Sequence, residues 1–366
     1  MAADDARARR YHRLQLWLGL AGLAVEVLYL AAVLASGVAR PVADAAGRLD
    51  GALAWRVAVV AAALGLGERI LTAPLVWLRG YWLPRRYGLL HQSLGGWLGD
   101  RLKAAAIAGV LGLITVEVIY ALVAATALWW LMAAAVLVGL QVVTAFVFPV
   151  WLLPLFYRLE PLADEGLRRR LLALAARVGI PVVGVWVADQ SRKSRTANAV
   201  LAGLGRTRRI VLFDTLVRDF APDEIEAVLA HELGHHVHRD VWRGLGVQAA
   251  VTVLALGIAD RLLRLGVGLL GLEGPADPAG LPWLALVLLG VGLLAAPAAN
   301  AFSRRIERQA DDFALAATGD PGAFVRALER LAALNLAERR PHRLKEVLLF
   351  SHPSIDRRIA RATRAA

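Results

Sequence analysis

The stretch AAAIAGVLGLITVEVIYALVAATALWWLMAAAVLVGLQVVTAFVFPVWLLPLFY, Ala104–Tyr157, carries one charged residue, Glu117. A helix needs roughly 20 apolar residues to cross a bilayer. This stretch therefore holds two crossings, with a tight turn near Ala125–Ala127. Working outward, further apolar blocks run over about Leu14–Ala35, Ala52–Trp77, Leu245–Leu265 and Leu281–Phe302. The first is too long for a secretory signal and lacks a small-residue cleavage site. The pattern predicts a multi-pass α-helical membrane protein of about six spans.

Composition agrees. Apolar residues make up 58% of the 366 positions and charged residues 20%, whereas soluble domains sit near 45–50% apolar. Such a chain is not disordered. With no cysteine, disulfide frameworks, iron–sulfur clusters, thiol catalysis and thiolate zinc sites are excluded. A metal would have to be held by His, Asp or Glu.

The net charge of +12 is uneven along the chain. Lys and Arg mark cytoplasmic loops. The N-terminal tail carries Arg7, Arg9, Arg10 and Arg13, and loop 79–103 has five basic residues against Asp100 alone. Segment 36–51 is balanced and 271–280 is acidic, so both are expected outside, while both termini lie inside. Asp260, Arg261 and Arg264 break this pattern near the outer end of the fifth span. The basic excess suits anionic lipid head groups, so no nucleic-acid partner is expected.

The expected organisation has four parts. Residues 1–157 form a membrane region of four spans (about 14–35, 52–77, 104–125 and 128–156) with the basic cytoplasmic loop 79–103. Residues 158–242 and 303–366 are two polar halves of one cytoplasmic domain. Residues 243–302 form a hairpin of spans five and six between them.

Four of the eight histidines fall in HELGHHVH, His231–His238. This contains H-E-x-x-H: His231, Glu232 and His235. Residues four apart share a helix face, so both imidazoles can grip one ion, with Glu232 beside them to take a proton from water. Pro222 at the helix start, with Asp223, Glu224 and Glu226 following, suits the positive end of the helix dipole. At this composition random placement produces the motif roughly 0.006 times per chain. Zinc is the natural metal for such a set, one per chain. The third ligand candidate is Glu307 in SRRIERQADDFA, with Asp311 one turn later as a carboxylate partner for a ligating imidazole. His236 and His238 are expected at the surface.

At these residues the chain resembles the M48 membrane metallopeptidases, specifically the Ste24 branch (type I CaaX prenyl proteases). The likeness extends through WLRGYWLPRRYGLLHQSLGGWLGDRLK (Trp77–Lys103), PLFYRLEPLADEGLRRRLLALAARVGIP, SRKSRTANAVLAGLGRTRRIVLFDTL and SHPSIDRRI. It implies an α+β zincin-like domain, zinc on His231, His235 and Glu307, Glu232 as general base and Asp311 behind a ligand. It also implies that His352 and Arg358 line the cleft and bind substrate backbone or the oxyanion. Asn198, at the start of Ala197–Gly203, falls on the edge strand that runs beside an extended substrate. Eukaryotic members have seven spans around a water-filled chamber, against six here. Glu26, Glu68, Arg69 and Glu117 lie in or near apolar blocks, and intramembrane charges normally face water or each other.

The resulting expectation is a membrane zinc endopeptidase acting on peptide or membrane-protein substrates, in processing or quality control. CaaX-type processing of lipidated C-termini is one alternative. An inactive scaffold or a transporter is another, although a scaffold needs no Glu232 and no inverted repeat is visible. The 39 Arg against 3 Lys suggest a GC-rich bacterial genome and so an inner-membrane location. Oligomeric state is not legible.

Overall fold

The computed structural model describes residues 2–147, 151–203 and 205–365; residues 148–150, within the fourth apolar block, lie outside it. Helix α1 (Ala2–Ser36) is continuous over 35 residues, about 50 Å and longer than a bilayer is thick. Its N-terminal turns project beyond the apolar part and dock on other segments: Arg7 Nη2 donates to Tyr87 O at 2.7 Å and His12 Nε2 meets Leu336 O at 2.9 Å.

Segment 36–51 is not an open loop. It contains α2 (Ala39–Leu49), whose Ala39, Ala43 and Ala46 are buried at helical spacing. Arg40 fastens this helix to the 271–280 loop, with Nη2 at 2.5 Å from Asp277 Oδ2 and Nη1 at 3.1 Å from Glu273 Oε1. The charges that look balanced in sequence are thus partly used across the chain.

Next come α3 (Leu53–Trp77), a π-helical turn (Leu78–Trp82), α4 (Leu83–Arg86), α5 (Leu94–Ala125) and α6 (Trp129–Val147). Helix α5 starts where Ser93 Oγ accepts from Gly96 N at 3.2 Å, so part of the 79–103 loop is helical. After the membrane region the chain alternates: β1 (Leu159–Pro161), α7 (Glu165–Arg177), β2 (Val185–Ala188), β3 (Ala199–Ala202) and β4 (Arg209–Phe213). Then follow α8 (Asp214–Asp219), α9 (Pro222–Val237), α10 (Asp240–Leu270) and α11 (Leu281–Thr318). The C-terminal part holds α12 (Pro321–Leu334), α13 (Arg343–Leu349) and α14 (Ile355–Ala365).

The strands form one sheet in the order β1-β2-β4-β3, with β2 and β4 parallel and the outer pairs antiparallel. Strand β3 is therefore an edge, paired only with β4 (Ala199 opposite Leu212). Beneath the sheet, Leu171, Leu174, Ile210, Leu212, Leu229 and Leu233 are fully buried and cluster with Ala314, Phe324, Leu328 and Ala362. Both polar stretches of the sequence contribute to this core.

Among the described residues, five helices are long and apolar enough to cross a membrane: α1, α3 with its extension, α5, α6 and α11. Helix α10 is not in that set and carries Asp260, Arg261 and Arg264 in its second half. Asp260 is buried, accepts the Trp129 indole N–H at 2.7 Å and pairs with Arg264 at 3.0 Å. The charge that looks out of place is a buried acceptor. Helix α10 packs against α6 and α11, completing the bundle.

The bundle holds its largest buried cluster near the α5–α6 turn, and a smaller one of Ala8, Tyr11, Leu83, Tyr87 and Leu89 at the other end. Val57, Val60, Tyr120, Trp129, Ala133, Leu256, Leu263 and Leu284 form the larger, at the end remote from the sheet. Few residues in the apolar stretches of α1, α5 and α6 are buried, so these helices face lipid or the space between them over most of their length.

Candidate metal centre

Helix α9 begins at Pro222 after Ala221, whose backbone N–H donates to Glu224 Oε2 at 2.9 Å. Its buried face carries Ile225, Leu229, His231, Leu233 and Gly234. Gly234 sets the distance to α11. A Cβ there would stand 3.1 Å from Ala310 Cα and 3.1 Å from the Phe313 ring. A side chain there would press on Ala310 and Phe313, so glycine suits this close approach of the two backbones. That approach brings Glu307 and Asp311 of α11 against the two imidazoles.

One donor atom from each of His231, His235 and Glu307 lies within 4.8 Å of the others. His231 Nε2 is 3.3 Å from His235 Nε2 and 3.3 Å from Glu307 Oε2, and His235 Nε2 is 3.7 Å from Glu307 Oε1. Ligands bound tetrahedrally to zinc at about 2.0–2.2 Å stand roughly 3.3–3.5 Å apart. Glu307 Oε2 is buried and has no hydrogen-bond partner among the described residues. Two facing imidazole nitrogens beside an unsatisfied carboxylate oxygen fit a single divalent cation.

Each imidazole is oriented from behind. His231 Nδ1 lies 2.9 Å from Asp311 Oδ1, and His235 Nδ1 lies 3.0 Å from Asp240 Oδ2. A carboxylate on Nδ1 fixes the tautomer that leaves Nε2 free to ligate. Asp240 was not foreseen from the sequence. It reaches His235 because Arg239 adopts a left-handed conformation (φ 57) that folds α10 back on α9. A lone Asp five residues after the second histidine is the only signal the sequence offers. Burial disfavours the His231 imidazolium, but the neighbouring carboxylates of Asp311 and Glu307 outweigh it and raise its pKa to about 9 when no metal is bound.

Glu232 opens into a cleft of about 370 Å³ that also exposes Asn198, Phe213, Leu331, His352 and Arg358. Burial raises the Glu232 pKa, with the neighbouring imidazoles acting in the opposite sense. His352 Nε2 is 3.1 Å from Glu307 Oε1, and its side chain is 57% exposed. Arg358 lines the cleft, but Asp311 holds its guanidinium. Asn198 is exposed immediately before β3, and its Oδ1 accepts from Ala199 N at 3.0 Å.

His236 and His238 are half-buried rather than at the open surface, and stand outside the ligand group. His236 Nε2 meets Leu201 O at 3.2 Å, joining α9 to β3, and His238 Nδ1 meets Gly234 O at 2.9 Å. The four intramembrane candidates are not part of the ligand group. Glu26, Glu68 and Glu117 are half-buried and Arg69 is exposed. Glu68 accepts from Thr72 Oγ1 at 3.2 Å, whereas Glu117 Oε1 has no partner among the described residues.

A membrane helix bundle joined to an H-E-x-x-H helix, with a carboxylate supplied by a second helix, defines the class of membrane metallopeptidases. Residues 161–366 match the family described as Peptidase family M48, and the chain belongs to it. Residues 2–158 match "CAAX prenyl protease N-terminal, five membrane helices"; among the described residues this part supplies four candidate spans, one fewer. The chain is 29% identical over 368 residues to the uncharacterized metalloprotease YhfN of Bacillus subtilis, covering 98% of this chain and 85% of that one. It is 30% identical over 285 residues to a CAAX prenyl protease 1 homolog of Arabidopsis thaliana (75% of this chain, 65% of that one). Against CAAX prenyl protease 1 of Saccharomyces cerevisiae it is 35% identical over 170 residues, or 37% of that protein's length. The matches thus span less than two thirds of these CAAX relatives. The fold is that of the S. mikatae Ste24p crystal structure, with a TM-score of 0.89 at 23% identity, covering 99% of this chain and 89% of that one. The chain is a Ste24-like, multi-pass membrane metallopeptidase.

Proposed function

We propose that one zinc ion per chain is held by His231, His235 and Glu307, and that the site cleaves peptide bonds in an extended substrate laid along β3. The spacing of the three ligand atoms, with Glu232 beside them in an open cleft, carries this reading. Zinc, when bound, would supply Lewis acidity toward a water and the scissile carbonyl. Glu232 takes the water's proton and returns it to the leaving amine. Asp311 and Asp240 keep the two imidazoles aimed. His352 and Arg358 are the candidate oxyanion donors; His352 is the more exposed and stands at 3.1 Å from Glu307 Oε1, while Arg358 is held by Asp311. The unpaired edge of β3, including Asn198, offers backbone groups to a substrate strand.

We further propose that 158–242 and 303–366 make one peptidase domain, interrupted by the hairpin 243–302 and following the membrane region 1–157. The shared core supports this. The basic N-terminal and 79–103 segments support a cytoplasmic domain on a bacterial inner membrane. The half-buried Glu26, Glu68 and Glu117, among spans whose apolar stretches are mostly unburied, support a wet chamber between the spans. Substrates would be membrane proteins, in processing or quality control. The names of the CAAX relatives favour a second reading, cleavage of lipidated C-termini.

Zinc content of the purified chain tests the site: about one per chain in the wild type, lost in His235→Ala. A zinc-free but active wild type would contradict the assignment. Prenylated and unprenylated versions of one peptide separate the two substrate readings.

A further inference from the structure

Helix α11 passes Phe302, the end of its apolar block, and then carries Arg304, Arg305 and Arg308 over two turns. Helix α13 lies across that point. Asn300 Nδ2 donates to Leu348 O at 2.8 Å, and Arg304 Nη1 donates to Glu346 O at 3.1 Å and Phe350 O at 2.6 Å. The Asn300 side chain thus holds α13 where the apolar run of α11 gives way to arginines, the expected edge of the bilayer. There Leu344 is 60%, Val347 44%, Leu348 38% and Leu349 53% exposed. Leu344, Val347 and Leu348 share one helix face. Grouped apolar exposure of this kind marks an interaction surface, and at this depth it suits a short helix lying in the membrane interface.

Beside α13, a groove of about 380 Å³ opens between α11, α13 and α14. Six arginines line it, against the carboxylates of Asp311 and Glu346. The carboxylates are already used: Asp311 by Arg358, and Glu346 by Ser354 N at 3.0 Å and Arg357 at 3.6 Å. Arg361 pairs with Asp312 at 2.6 Å. Arg308 and Arg364 are exposed and, among the described residues, make no ion pair or hydrogen bond. Six positive charges against the carboxylates of Asp311, Glu346 and the Arg361 partner Asp312 leave the groove at +3.

We propose that this groove binds the head group of an anionic phospholipid, with the acyl chains lying along the exposed leucines of α13. The two-part surface selects this ligand. A free anion would make no use of the leucines, and an acidic peptide gives no reason for them to sit at the membrane boundary. The groove shares Asp311 and Arg358 with the metal centre, but lipid binding needs no cleavage and can be read without it.

The test uses the full chain in detergent micelles doped with short-chain phosphatidylglycerol, and with phosphatidylcholine in parallel, read by equilibrium binding. Phosphatidylglycerol should bind at least ten-fold more tightly than phosphatidylcholine. Replacing Arg308 and Arg364 by Gln should weaken it about five-fold per charge, roughly 25-fold together. The Lys pair should retain most of the affinity, which guards against misfolding of the Gln pair. Leu344→Ser with Leu348→Ser should weaken the lipid and leave glycerol phosphate unchanged. Equal binding of the two lipids would overturn the proposal. So would glycerol phosphate binding as tightly as the lipid, or an oligoglutamate peptide displacing it at equal concentration.

Discussion

Arg358 grips both carboxylate oxygens of Asp311, Nε to Oδ2 at 2.9 Å and Nη2 to Oδ1 at 2.6 Å. Asp311 in turn holds His231 Nδ1 at 2.9 Å. The chain of contacts runs from the C-terminal helix through α11 to the H-E-x-x-H helix. Removing Arg358 leaves a buried carboxylate without its counter-charge. Arg358→Ala should cost about 3–5 kcal/mol of stability and weaken zinc roughly 10–100-fold. Arg358→Lys should rescue little, because a single ammonium cannot bridge both oxygens. Thermal unfolding and chelator competition measure the two effects; full rescue by Lys would contradict this geometry.

Asp240 does for His235 what Asp311 does for His231. Asp240→Asn should lower zinc affinity by about 10–100-fold while leaving the helices intact. Chelator competition at fixed pH reads this directly, and an unchanged affinity would mean that His235 is oriented by other contacts.

Zinc binding should release a proton. The metal-free His231 pKa is raised from 6.5 to about 9, so the ring is protonated at neutral pH and zinc must displace that proton. Apparent affinity should rise about ten-fold per pH unit up to the metal-free pKa. The linked stability has the opposite sign: in the metal-free protein it is fully present below 6.5 and lost as pH rises through about 9. Calorimetry in buffers of different ionisation heat counts the proton. An affinity that is flat between pH 7 and 8.5 would contradict the account.

Gly234→Ala places a methyl group against Ala310. Separating α9 from α11 should cost about 1–3 kcal/mol and move Glu307 away from the imidazoles. Reduced zinc content, together with a lower unfolding midpoint, is the expected result.

What the sequence disclosed follows the range of each interaction. His231, Glu232 and His235 are legible because helix geometry alone puts i and i+4 on one face. Glu307 is legible as a carboxylate shortly after the last apolar block, although its distance to the histidines depends on Gly234. Asp240 is not, because its reach depends on the left-handed Arg239 turn. Segment 36–51 reads as a loop by its mixed charges, yet Ala39, Ala43 and Ala46 find a partner surface and fold as α2. Asp260 looks misplaced until Trp129, 131 positions away, is seen donating to it. Long-range pairings of this kind leave no local pattern.

The central claim is that Glu232 is the base at a zinc site, and Glu232→Gln in the full-length purified chain tests it most directly. Peptide cleavage should fall by about 10²–10⁴-fold while roughly one zinc per chain is retained. Cleavage near the wild-type rate, with zinc still bound, would contradict it.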